Sequence, residues 1–174
     1  MKEYNSLNYN KKYKILFVCL GNICRSPAAE GIMKKKLEDR GLSDKYFVDS
    51  AGIGNWHVGQ LPDIRMRRHG AAHGYTFDSR ARQFSEKDFN RFDYIVTMDA
   101  ENHSAIVSKA STETERQKVV RMSQFLREHP GIQSVPDPYY GGDNGFELVI
   151  ELLEDACDGL IEYIEQQKTK QTKA

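Results

Sequence analysis

Residues 19–27 read CLGNICRSP and place a thiol, an arginine and a hydroxyl within one short stretch of chain. A thiolate is a strong nucleophile, and a guanidinium presents a planar fork that fits two oxygens of a phosphate. Cys19 followed by Arg25 is a weak signal as bare spacing, and its setting is what strengthens it. KILFV precedes it, an apolar run of strand length. Ser26 and Pro27 follow, with proline at the first position of a helix, where its missing N–H is no loss. A turn between a strand end and a helix start gathers backbone N–H groups, here those of Leu20, Gly21, Asn22, Ile23 and Cys24. With the helix dipole they make a cradle for phosphate or a similar oxyanion. Gly21 and Asn22 are residue types that tolerate positive φ, which a tight ring-like loop needs. The positive surroundings favour the thiolate of Cys19, and the Ser26 hydroxyl is placed to donate to it. The chemistry this suggests is displacement at phosphorus. The competing reading is a buried cysteine in an ordinary strand-to-helix turn.

The elements that must position these groups alternate along the chain. YKILFVCL and DYIVTM read as strands buried on both faces, KYFVDSAG as another, and KVVRM as a short fourth. Ala29, Ile32, Met33 and Leu37 form one stripe of a first helix, and residues 62–73 a second helix. A short helix falls on SEKDFNRF, another on DAENHSAIVSKA, and a long one on 144–165 with Cys157 on its apolar face. VPDPYYGGDNG is a loop dense in Pro, Gly and Asp. The alternation predicts one parallel α/β sheet covered on both sides, with ligands at the carboxyl ends of its strands. The domain spans 14–165, after a flexible extension at 1–13 and before a disordered tail at 166–174.

Composition narrows the partners. The chain has 174 residues, enough for one domain with a sizeable core. Lys+Arg and Asp+Glu are 25 each, so no charge excess asks for nucleic acid or an anionic membrane. No apolar run has the length to span a bilayer, and the polar start has no signal-peptide core, which makes a cytoplasmic protein the expectation. Three cysteines cannot all pair within one chain, so the thiols are read for reactivity.

VCLGNICRSPAAEG closely resembles the active-site signature of the low-molecular-weight protein tyrosine phosphatases. The likeness continues through VDSAGIGNWHVGQLPD, HGYTFDSRARQ, DFNRFDYIVTMD and VPDPYYGG, in order, over about 14–165. It implies a flavodoxin-like fold of four parallel strands flanked by helices, no metal or other cofactor, and a phosphotyrosine-containing protein as substrate. It also implies roles. Cys19 is the nucleophile, Arg25 the phosphate clamp, Ser26 the thiolate's partner and Asp137 the general acid. Asn22 is held in a strained conformation by Ser26, Ser50 and His73. Cys24 is a resolving thiol that protects Cys19 through a reversible disulfide.

Asp137, read by itself, is a turn-forming residue before Pro138. Beside an anion site, Tyr139 and Tyr140 wall a slot for a phenyl ring, with Trp56 opposite. In the family these two tyrosines can themselves be phosphorylated. His57 follows Trp56 in a stretch that varies among relatives. Asp63 and arginines 65, 67 and 68 read as a solvated helix face, and Asp99 is given no role. Two other functions share the pattern. Arsenate reductase uses a similar loop but needs further cysteines near the end of the third strand, and IVTMDAENHSAIV has none. A non-catalytic phosphate-binding module would normally lack the thiol or the arginine, and both are present.

Overall fold

Alternating burial on both faces explains why the first strand is a continuous apolar run. In the computed structural model, which describes residues 11–139 and 141–173, β1 (Tyr13–Cys19) turns Ile15 and Phe17 into one core and Leu16 and Val18 into another. β2 (Tyr46–Gly52) and β3 (Tyr94–Thr97) pair with it on either side, and β4 (Val119–Arg121) extends the sheet beyond β3. The order is β2-β1-β3-β4 and every pairing is parallel.

One face carries α1 (Arg25–Asp39) and α6 (Asp143–Lys173), whose Ile32, Met33, Val149, Leu153 and Leu160 pack with Ile15 and Phe17. α6 runs so close to the chain after β4 that a Cβ on Gly159 would lie 1.9 Å from the Phe125 carbonyl oxygen. The other face is closed by Phe84, Phe89 and Phe92, around α3 (Asp88–Arg91), and by Ile106 of α4 (Ala100–Val107). α2 (Ile64–Ala72) sends Met66 into the first core. The fold is the flavodoxin-like α/β architecture expected.

The structure differs from the sequence reading at the ends of the domain and in one added helix. Tyr13 belongs to β1, and residues 1–10 of the proposed extension lie outside the described residues. The tail expected to be disordered from 166 is helical through Lys173. Lys168 pairs with Glu165 at 2.8 Å and lies over the rings of Tyr13 and Tyr46 at 4.4 and 4.6 Å, so the last turns of α6 have a surface to rest on. A short helix, α5 (Glu113–Gln117), was not anticipated. Its signal was legible: Thr112 and Glu115 form a capping box.

The sheet order fixes where a ligand goes. The chain leaves β1 toward β2 on one side and returns to β3 on the other, so a crevice opens beyond the carboxyl ends of β1 and β3. Cys19 ends β1 and Asp99 follows β3, and both border that crevice.

Candidate active site

The loop 20–24 bends tightly because Asn22 adopts φ 58°, alone among the described non-glycine residues in the left-handed region. Three contacts hold it there. Its Nδ2 donates to Ser26 Oγ at 2.7 Å and to Ser50 Oγ at 3.0 Å, and its Oδ1 accepts from the Arg82 amide at 3.0 Å. Gly21, expected to share the positive φ, does not; it instead clears the His57 ring, which would stand 3.1 Å from a Cβ there. Gly52 lets the end of β2 press against the loop, since a Cβ on it would lie 2.9 Å from Gly21 C.

His73 does not join this network. It caps the end of α2, and its Nε2 meets Glu147 Oε2 of α6 at 2.6 Å. The third anchor of Asn22 is the Arg82 backbone instead, a contact that side-chain patterns could not show.

The folded loop encloses Cys19, which is 3% exposed. Its Sγ lies 3.0 Å from Ser26 Oγ and accepts from the Ser26 amide at 3.4 Å. Residues 20–24 lie between β1 and α1, and none of their amides donates to a backbone acceptor among the described residues. They are donors that make no such bond within the described protein, and Leu20, Gly21, Ile23 and Cys24 line the same cavity as the sulfur.

Arg25 is fixed from three sides. Nη1 donates to Asp99 Oδ2 at 2.6 Å and to the Val135 carbonyl at 3.0 Å, and Nη2 lies 3.6 Å from Asp137 Oδ2. Its Nε is buried with no hydrogen-bond partner among the described residues, so one donor of the guanidinium is unused there. Burial works against its charge, but Cys19 and Asp99 outweigh it and hold its pKa above the ordinary value. Asp99 therefore has a role that its sequence context did not reveal. One of its oxygens holds Arg25 while the other caps α4 through the Asn102 amide at 2.7 Å.

Asp137 stands on the exposed side of the crevice, its side chain 36% accessible, and its Oδ1 accepts from the Tyr139 amide at 3.0 Å. Arg65 anchors this loop. It pairs with Asp63 at 2.9 Å, donates to the Tyr139 carbonyl at 3.0 Å, and stacks over Tyr139 and Phe146. It is a structural strut, not the solvated residue its helix pattern suggested. A cavity of about 390 Å³ unites these parts. Cys19, Cys24 and Arg25 contribute to its lining, as do Asp137 and the aromatic side chains of Trp56 and Tyr139. Tyr140, expected in the same wall, lies outside the described residues. Burial, then Asp63 and Cys19, push the Cys24 thiol well above its ordinary pKa, so it is a thiol at neutral pH.

A buried thiol at the switch point of a parallel α/β sheet, with an arginine beside it, is an arrangement able to hold an oxyanion against sulfur. The family model of low molecular weight phosphotyrosine protein phosphatase matches residues 14–171, and this chain belongs to that family. It is 42% identical over 160 residues to the low molecular weight protein-tyrosine-phosphatase of Streptomyces coelicolor, covering 89% of this chain and 95% of that one. The crystal structure of YfkJ from Bacillus subtilis superposes with a TM-score of 0.84 at 40% identity, covering 91% of this chain and 98% of that one. The protein tyrosine phosphatase of Entamoeba histolytica, crystallised with Hepes in the active site, gives 0.87 at 47% identity, covering 90% of this chain and 99% of that one. The chain is accordingly a protein tyrosine phosphatase, a hydrolase of phosphorylated protein.

Proposed function

We propose that the chain hydrolyses phosphotyrosine in proteins through a cysteinyl-phosphate intermediate formed on Cys19. One observation carries the reading: Cys19 with its buried sulfur, Leu20, Gly21, Ile23 and Cys24 of the loop, and Arg25 line a single cavity together with the Asp137 carboxylate and the rings of Trp56 and Tyr139. Phosphate oxygens occupy the amides and the guanidinium, which places phosphorus over the sulfur. The thiolate of Cys19 attacks phosphorus, the bond to the tyrosine oxygen breaks, and Asp137 gives that oxygen its proton. Water then attacks the cysteinyl phosphate and yields its proton to the Asp137 carboxylate, the S–P bond breaks, and inorganic phosphate leaves. The Ser26 hydroxyl stabilises the thiolate as it forms and departs, and charge spreading onto the phosphoryl oxygens is met by Arg25.

Trp56 and Tyr139 wall the approach and suit a phenyl ring. A phosphoserine is too short to reach the sulfur between such walls. No nucleic acid, membrane or cofactor enters this reading, and we place the enzyme in the cytoplasm. Among the described residues no helix is long and apolar enough to cross a membrane.

The test is pre-steady-state kinetics with p-nitrophenyl phosphate. The parent should release a burst of one p-nitrophenol per active site where dephosphorylation limits turnover. Cys19→Ser should show neither burst nor turnover while still binding phosphate. Turnover by a contaminant-free Cys19→Ser protein would overturn the covalent route.

A further inference from the structure

A chain of hydrogen bonds runs from the surface of α1 to the sulfur, and it begins at a residue with no place in the mechanism above. Glu30 is a charged residue only 4% exposed, and it lies two helical turns beyond the loop. Its Oε2 pairs with Lys34 Nζ at 2.6 Å, and its Oε1 accepts from Ser50 Oγ at 2.7 Å. Ser50 Oγ in turn accepts from Asn22 Nδ2 at 3.0 Å. Asn22 donates its other amide hydrogen to Ser26 Oγ at 2.7 Å, and Ser26 lies 3.0 Å from Cys19 Sγ.

The directions of these bonds follow from what each group can do. As the partner of Lys34, the Glu30 carboxylate has acceptors only, so the Ser50 hydroxyl must spend its single proton on Glu30. Ser50 then presents a lone pair to Asn22. At the other end the Arg82 amide can only donate, so it fixes Oδ1 and leaves Nδ2 facing both serines. Ser26 accepts from Asn22, and its own proton is left for the sulfur; the alternative acceptor, the Ala51 carbonyl, is more distant at 3.4 Å. The left-handed turn at Asn22 is thus pinned from two sides, by the Arg82 backbone and by Ser50. Only the Ser50 side depends on a removable charge.

We infer that Glu30 is a positioning residue for the phosphatase reaction: through Ser50 it holds Asn22 in place and so keeps the Ser26 hydroxyl aimed at Cys19. Without an acceptor at position 30, Ser50 has a buried proton and no partner for it. It turns away, Asn22 loses one of its three anchors, and the thiolate loses an ordered donor. The inference rests on Cys19 being the reacting group. It is nevertheless read from the sulfur directly, so its failure is distinct from a failure of the covalent route, which Cys19→Ser turnover reports.

The experiment is the pH profile of carboxymethylation by iodoacetate, mapped to Cys19 by mass spectrometry, for the parent, Glu30→Met and Glu30→Gln. Cys24 and Cys157 are held as thiols by burial and react late. Arg25 on α1, which interacts with the sulfur, and the Asp99 and Asp137 carboxylates paired with it, after β3 and on the loop, are the same in all three proteins. Glu30→Met should slow alkylation below the profile's midpoint about tenfold, the scale of one hydrogen bond to a charged group. It should lower kcat in step. Glu30→Gln retains an oxygen for Ser50 and should recover most of the parent rate, with Lys34 turning to water.

A pure charge effect has the opposite sign. Deleting a nearby negative charge eases ionisation of the sulfur, so both variants would alkylate faster than the parent. Alkylation of Glu30→Met at or above the parent rate overturns the inference, as does Glu30→Gln that is as slow as Glu30→Met. If Glu30→Met does not fold, Ser50→Ala breaks the same link with Glu30 and Lys34 intact. It should show the same slowing, and parent-like alkylation there also overturns the inference.

Discussion

Asp99 offers the sharpest test of how the proposed phosphate clamp, Arg25, is held, because its two oxygens serve two different structures. Oδ2 accepts from Arg25 Nη1 at 2.6 Å, and Oδ1 accepts from the Asn102 amide at 2.7 Å as the cap of α4. Asp99→Asn is nearly isosteric but has one oxygen, so it satisfies either the cap or the clamp and turns an N–H toward the other. Arg25 is only 2% exposed and cannot replace a lost partner with bulk water. If the oxygen stays with the cap, the clamp loses a hydrogen bond to a charged group, worth about 1.5–3 kcal/mol. That corresponds to a fall in kcat/KM of roughly 10- to 150-fold. Stability should then change little, because Asn caps about as well as Asp.

If the oxygen turns to Arg25, the pattern inverts. Activity survives and the cap is lost at about 1 kcal/mol, or about 2–4 °C in Tm for a chain of this size. Asp99→Ala removes both contacts and should show both losses. The assay pairs kcat/KM on a phosphotyrosine peptide with thermal melts of the three proteins. An Asp99→Asn protein with parent kcat/KM and parent Tm would refute the reasoning, since it would mean that the Val135 carbonyl and Asp137 hold Arg25 without help.

Asp137→Ala should lose about 10²–10⁴ in turnover on phosphotyrosine. The deficit should shrink across aryl phosphates as the leaving group becomes more acidic, and a uniform deficit would remove Asp137 as the acid. Peroxide should inactivate the enzyme reversibly, with recovery on adding thiol, whereas Cys24→Ser should fail to recover. Because burial holds Cys24 as a thiol, the Cys19–Cys24 disulfide should close faster as pH rises, and a pH-independent rate would refute that reading. Glu147 joins α6 to α2 through His69 and His73, each at 2.6 Å. Its bond to His69 raises the His69 pKa, and the bonds from both histidines lower that of Glu147. The histidine contribution is full below the unfolded histidine value and fades as pH rises through the raised one. The carboxylate contribution is present above its unfolded value and fades as pH falls through the lowered one. The stability difference between the parent and Glu147→Gln should therefore peak between about pH 4.3 and 6.5. Equal differences at all pH values would show that the clamp is not ionic.

Local chemistry determined a large part of this protein. The buried run before Cys19, the Ser-Pro helix start and the strand–helix alternation all follow from side-chain type and period, which act over a few residues. They sufficed to place the 20–24 loop at the carboxyl end of a parallel strand, and the letters around it identified the phosphatase family. What the pattern could not contain were contacts between residues far apart in the chain. Arg25 meets Asp99 and Val135 across 74 and 110 positions, and Arg82 reaches Asn22 with its backbone, across 60. His73 and Arg65 were misjudged for the same reason. A histidine at a helix end and an arginine on a helix face have many possible partners, and only the packing of α2 against α6 and against the 135–139 loop selects among them. Glu30 illustrates the limit most plainly: in the sequence it is one of many charged residues on an amphipathic helix, and only the apposition of α1 and β2 buries it against Ser50 and ties it to the sulfur.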